Sequence, residues 1–146
     1  MQDSIQLIQS LPADLTATWR ALTDPEQMRR WYFPMIEDFK AEAEFKTQFS
    51  VLHEGKQFVH IWKVTSADAP YLLAYSWKYG GYPGETLLEF ELSPEGDTTR
   101  LILTHSNLLS FEPDVHPELS SENFRLGWQG FMESLTAFVT GNKNYE

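Results

Sequence analysis

Hydrophobic positions change their period twice along the chain. Ile5 and Leu7 alternate with polar neighbours, which predicts a short strand over 4–9 that ends before Leu11-Pro12. Leu15, Trp19 and Leu22 then recur at i, i+4 and i+7, the spacing of one helical face. Pro12 suits the first turn of that helix, and Asp14 complements the positive end of its dipole. Thr23-Asp24-Pro25 stops it and starts a second, short helix: Asp24 caps, Pro25 takes the first position and Gln27 stands three residues beyond the cap. This second helix is expected to run to about Trp31.

From Phe39 to Ser106 the period becomes two, with turn residues at fairly even intervals, and predicts a meander of strands. Phe45, Thr47, Phe49, Val51 and His53 share one face, and Glu54-Gly55 supplies a turn before Phe58, His60, Trp62 and Val64. Leu73, Tyr75, Trp77 and Tyr79 follow on one side of a strand over 71–79, which Gly80-Gly81-Tyr82-Pro83-Gly84 breaks. Leu88, Phe90 and Leu92 alternate with Glu89 and Glu91, and Leu101, Leu103 and His105 close the series after the turn at Pro94-Glu95-Gly96-Asp97. One face of the resulting sheet is aromatic and the other charged.

Residues 107–118, with Pro113 and Pro117, read as a loop. Ser120 or Ser121 then caps a final helix with Glu122 in its first turn and Gly141 as its stop, about twenty residues and ~30 Å long. Its stripe is Phe124, Trp128, Phe131, Leu135 and Phe138. Gly127 and Gly130 each cost a helix interior roughly 1 kcal/mol relative to Ala, which predicts close approach of a strand or a ligand to this helix. Strand, two short helices, antiparallel meander and long terminal helix make an α+β fold, with helices on one face of a curved sheet. Such a sheet leaves a cavity wherever one helix fails to fill its concave side.

Composition narrows the chemistry. The chain has 146 residues and no cysteine, which predicts a single domain without disulfides, thiolate metal sites or thiol nucleophiles, in a reducing cytoplasm. A formal net charge of -10, from 11 basic against 21 acidic residues, argues against nucleic acid and anionic membrane surfaces as partners. No apolar run reaches the ~18 residues of a membrane span, and Met1-Gln2-Asp3 lacks the head of a signal peptide. The serines lack a G-x-S-x-G elbow, the glycines form no phosphate-binding loop, and the four histidines, His53, His60, His105 and His116, include no close-spaced metal pair. Neither metal nor cofactor is expected.

Three blocks then resemble a known family: Thr18-Trp19-Arg20-Ala21-Leu22-Thr23-Asp24-Pro25-Glu26 with Arg30-Trp31; Thr99-Arg100-Leu101-Ile102-Leu103-Thr104-His105-Ser106; and Gly127-Trp128-Gln129-Gly130-Phe131. In this order they look like the bacterial relatives of the activator of the heat-shock chaperone (Hsp90) ATPase. That family belongs to the START/SRPBCC (Bet v 1-like) superfamily of helix-grip proteins, with the birch pollen allergen, polyketide cyclases and lipid-transfer domains. The resemblance implies a helix-grip fold, in which a curved antiparallel sheet wraps around the long C-terminal helix and holds a hydrophobic ligand between them. The eukaryotic activator carries a further N-terminal domain, for which this chain is expected to leave no room.

On this basis the expected cavity residues are His60, Trp62, Tyr75, Trp77 and Phe90 with His105, Phe124, Trp128 and Phe131. Trp31, Phe33 and Phe39 are candidates for a gate over one end. The expected function is non-catalytic binding of a lipid, sterol-like or polyketide-like molecule, driven by apolar burial at ~25 cal/mol per Å². A stress-response protein that meets a chaperone through its acidic surface is the alternative. A small cyclase or hydrolase with His60 or His105 as general base is a third.

Overall fold

The computed structural model describes residues 2–144. Six antiparallel strands form one open sheet: β1 (Ile5–Leu11), β2 (Lys46–His53), β3 (Lys56–Asp68), β4 (Leu72–Tyr79), β5 (Thr86–Glu95) and β6 (Thr98–Ser106), in the order β1-β6-β5-β4-β3-β2. The meander pairs successive strands, and β1 returns to the far edge against β6 with Leu7 opposite Leu103. A register shift between Val64 and Ser66 bulges β3 against β4 and adds to the bend of the sheet. Helices α1 (Leu15–Thr23) and α2 (Pro25–Trp31) follow β1, and α3 (Ser121–Asn144) ends the chain. This is the helix-grip architecture. Among the described residues, no helix is long and apolar enough to cross a membrane.

Several boundaries differ from the sequence expectation for local reasons. β1 runs on to Leu11, which is fully buried opposite Thr99. Helix α1 starts at Leu15 instead of near Pro12, because Asp14 is its N-cap and accepts the Ala17 amide at 2.8 Å. Its buried residues are Thr18, Ala21 and Leu22, while Leu15 and Trp19 are only half-buried. Asp24 caps α2 as anticipated, accepting from the Glu26 amide at 3.2 Å. The first meander strand begins at Lys46, so 39–45 is a connection, and the expected loop over 107–118 contains a short 3₁₀ turn at Leu108–Phe111 and the start of another at Pro117–Leu119. Gly84, in the left-handed region at φ +94°, lets the 80–85 turn lie directly on the Ser110 backbone, where any Cβ would collide.

Ser120 caps α3 by accepting the Asn123 amide at 3.2 Å. Gly141 does not stop this helix, which continues to Asn144. The face it buries is centred on Trp128, Met132, Leu135 and Val139, with Phe124, Phe131 and Phe138 half-buried beside them. The expected strand does not approach the helix glycines. A Cβ at Gly127 or Gly130 would meet no atom within 4 Å outside the helix backbone.

Candidate functional site

The concave face of the sheet is aromatic across β2 to β5 and aliphatic on β6 and β1, and its aromatic part divides into a filled half and a hollow half. The filled half is plugged by α2 and the chain leaving it. Tyr32 lies between Trp31 and Trp62, with centroid distances of 4.5 and 5.4 Å, and its hydroxyl meets that of Tyr75 at 2.9 Å. Phe39 packs edge-on against Trp62 and Tyr75. Trp31 is held by its indole N–H donating to the Ala21 carbonyl at 2.7 Å, and the Ser134 hydroxyl donates to the Trp31 carbonyl at 2.8 Å, tying α2 to α3. Burial pushes the Tyr32 and Tyr75 hydroxyls above the usual phenol range, so both stay neutral. Trp62, Tyr75 and Phe90 are consequently core residues with no more than 1% exposure.

His105 sits at the boundary and is fully satisfied. Trp128 Nε1–H donates to His105 Nδ1 at 3.1 Å. An indole only donates, so Nδ1 carries the lone pair and Nε2 the proton, which is directed at Thr86 Oγ1 at 2.8 Å. The Thr86 hydroxyl donates onward to the Trp77 carbonyl at 2.8 Å. Burial lowers the His105 pKa to about 3. With both ring nitrogens engaged and no lone pair free, His105 is a cross-link between α3 and the sheet.

The hollow half lies under the first turns of α3. It is a cavity of about 740 Å³, within the ~300–1,000 Å³ of small-molecule sites. The sheet contributes Val51, Phe58, His60, Trp77 and Tyr79, and α3 contributes Phe124, Gly127, Trp128 and Phe131. Phe33 forms the wall shared with the filled half, and Leu119 closes from the 3₁₀ turn. His53 and Glu54, at the tip of the β2–β3 hairpin, and Glu118 form its polar rim. From the same hairpin, Lys56 reaches Glu118 at 3.1 Å, an exposed ion pair across the mouth.

His60 and Tyr79 are titratable side chains buried in this wall. His60 Nδ1 lies 3.1 Å from the Phe58 carbonyl, and burial lowers the His60 pKa to about 4. The Trp77 indole nitrogen is also buried and makes no well-formed hydrogen bond, although it lies close enough to the Tyr79 hydroxyl to offset part of the rise that burial gives that phenol's pKa. Among the described residues, no group of three or more His, Asp, Glu or Cys side chains is placed to hold a metal ion.

Of the residues anticipated for the cavity, the structure brings together His60, Trp77, Phe124, Trp128 and Phe131, joined by Phe33 from the anticipated gate. It places Trp62, Tyr75, Phe90 and His105 outside the lining, because side chains from α2, its exit segment and α3 already cover them. Trp31 and Phe39, also anticipated for the gate, lie in the hydrophobic core and outside the cavity lining. Sequence reasoning missed Phe58, Tyr79 and Gly127 as lining residues. Phe58 and Tyr79 share the alternation of His60 and Trp77, and Gly127 announced itself by its helix cost. Leu119 carried no signal, since its position depends on a turn within an irregular segment.

Comparison with known proteins agrees with this architecture. Protein CV1439 from Chromobacterium violaceum superimposes with a TM-score of 0.80 at 19% identity, over 95% of this chain and 98% of that one. CalU16 from Micromonospora echinospora gives a TM-score of 0.62 at 26% identity, over 94% of this chain and 66% of that one. DynU16, a putative protein in the dynemicin biosynthetic locus, gives 0.76 at 19% identity, over 96% of this chain and 48% of that one. No curated protein is similar in sequence. Residues 12–140 match the family described as Activator of Hsp90 ATPase homolog 1-like protein, and the chain, with its curved sheet closed on a long terminal helix, belongs to that family.

Proposed function

We propose that the protein binds a small hydrophobic, aromatic-rich molecule in the cavity between the sheet and the start of α3, without transforming it. The observation that carries this reading is a cavity of about 740 Å³ walled by aromatic rings in a protein whose other half uses the same kinds of ring to pack solidly. Gly127 borders this cavity at an exposed position of α3 and puts no side chain into it. Apolar burial at ~25 cal/mol per Å² drives binding, and the aromatic faces orient a flat ligand. The occurrence of the fold in DynU16, of the dynemicin biosynthetic locus, is in keeping with a polyketide-like ligand. A lipid or sterol-like ligand fits the same wall, and the cysteine-free sequence suits a reducing cytoplasm.

The test is a two-dimensional NMR titration of labelled protein with lipids, sterols and polyketide-type aromatics. Shifts clustered around Trp77, Phe124 and Trp128 are expected; a folded protein with no shifted resonance in that cluster excludes the reading. The family match favours a second reading, in which the acidic surface meets a basic region of a chaperone. That reading expects a salt-sensitive pulldown with the chaperone's middle domain, and absence of association at low salt removes it.

A further inference from the structure

The two buried histidines differ in one atom. In a neutral imidazole one nitrogen donates and the other accepts. At His60, Nδ1 faces the Phe58 carbonyl at 3.1 Å, and a carbonyl only accepts, so Nδ1 carries the proton. Nε2 therefore holds a lone pair, and among the described residues no protein donor reaches it, whereas both nitrogens of His105 are matched. Aromatic rings hem in the His60 ring: Phe49 stacked at 5.1 Å, with Phe33, Trp77 and Tyr79 at 5.0, 5.4 and 4.8 Å. His60 nonetheless belongs to the cavity wall. Beside the Tyr79 hydroxyl and the Trp77 N–H, the wall thus presents a histidine acceptor that no protein donor among the described residues matches.

We propose that His60 Nε2 accepts a hydrogen bond from a hydroxyl of the ligand, so that the cavity selects a neutral aromatic molecule bearing a phenol or alcohol. This rests on the cavity-binding reading above. The chemistry disfavours the alternatives. An ether or ketone offers only lone pairs to a lone pair and leaves Nε2 desolvated and unpaired. A carboxylate meets the same lone pair, a rim carrying Glu54 and Glu118, and a chain of net charge -10. The Trp77 N–H is a donor and cannot serve a hydroxyl proton.

The experiment compares three probes of one shape, naphthalene, 2-methoxynaphthalene and 2-naphthol, by competition for the cavity in the wild type and in His60→Phe. A buried neutral hydrogen bond contributes about 1 kcal/mol, so 2-naphthol is expected to bind roughly five- to tenfold more tightly than 2-methoxynaphthalene in the wild type and equally in His60→Phe. In wild-type protein labelled with ¹⁵N-histidine, the His60 Nε2 resonance is expected to move upfield with 2-naphthol and to stay in place with 2-methoxynaphthalene, a readout independent of the variant's folding. Equal binding of the two in the wild type, a preference that survives His60→Phe, or an unmoved Nε2 resonance overturns the role of His60 and leaves the cavity intact. Failure of all three probes, naphthalene included, overturns the cavity reading and the His60 inference with it.

Discussion

The two halves of the concave face are made of the same residue types on the same alternation, yet one is solid and the other hollow. Trp62 and Trp77 are cross-strand partners on β3 and β4, with rings 5.3 Å apart. Trp62 is covered by Tyr32 and Phe39, whereas Trp77, packed against Phe33, Phe124 and Trp128, also borders the cavity. The difference originates elsewhere in the chain. The segment leaving α2 delivers Tyr32 and Phe39 to one half and only Phe33 to the wall of the other, where the start of α3 carries Gly127 without a side chain beside the cavity. A histidine accompanies each region: His105 is locked between Trp128 and Thr86, and His60 is anchored at Nδ1 alone. An aromatic strand face is therefore material for either a core or a site, and the covering element decides which.

Acid should separate the halves most strongly. Both histidines have folded-state pKa values below the ordinary 6.5, about 4 for His60 and about 3 for His105, so the unfolded chain binds more protons as pH falls. The stability contributed by the neutral rings is complete above about pH 6.5 and is lost below it at about 1.4 kcal/mol per pH unit for each histidine, roughly 5 kcal/mol for the pair by pH 4.5. The loss for His60 levels off near pH 4 and that for His105 continues towards 3. Urea melts of wild type and His60→Phe between pH 7 and 4.5 should show a shallower pH slope in the variant; an unchanged slope would mean that His60 is not held neutral.

Truncation on the two sides should give unequal costs. Trp62→Ala empties the solid half and is expected to cost about 3–5 kcal/mol in a denaturant melt. Phe124→Ala, on the half-buried cavity wall, is expected to cost less than about 2 kcal/mol while weakening the binding of aromatic probes. Equal costs would show that the hollow half is as tightly packed as the other.

The smallest effect is the most discriminating. Gly127→Ala and Gly130→Ala should each raise stability by up to about 1 kcal/mol, because both positions are helical and open. Only Gly127 lines the cavity, so only Gly127→Ala should also reduce probe affinity. A Gly130→Ala protein that binds less well would relocate the site along α3.

Much of the fold was legible because it rests on periodicities that a local pattern carries. Alternation from Phe45 to His105 identified the inner face of the sheet, and Asp24-Pro25 the junction of the two short helices. The register β1 to β6 was not legible: it joins residues about 100 positions apart, and nothing near Ile5 specifies His105 as its partner. Of the site, His60, Trp77, Phe124, Trp128 and Phe131 were legible as inward-facing residues. Their separation from Trp62, Tyr75 and Phe90 was not, since the strand residues of both groups follow the same alternation.

Sequence alone thus determined which side chains turn inward, the order of the helices and strands, and an inner sheet face rich in aromatic rings. Only the tertiary structure decided which of those rings touch one another and which face empty space. Alternation is a property of single strands and survives in any packing. Whether a buried face is filled depends on where a distant segment lands, and whether a histidine has a free lone pair depends on which donors the folded chain brings to it.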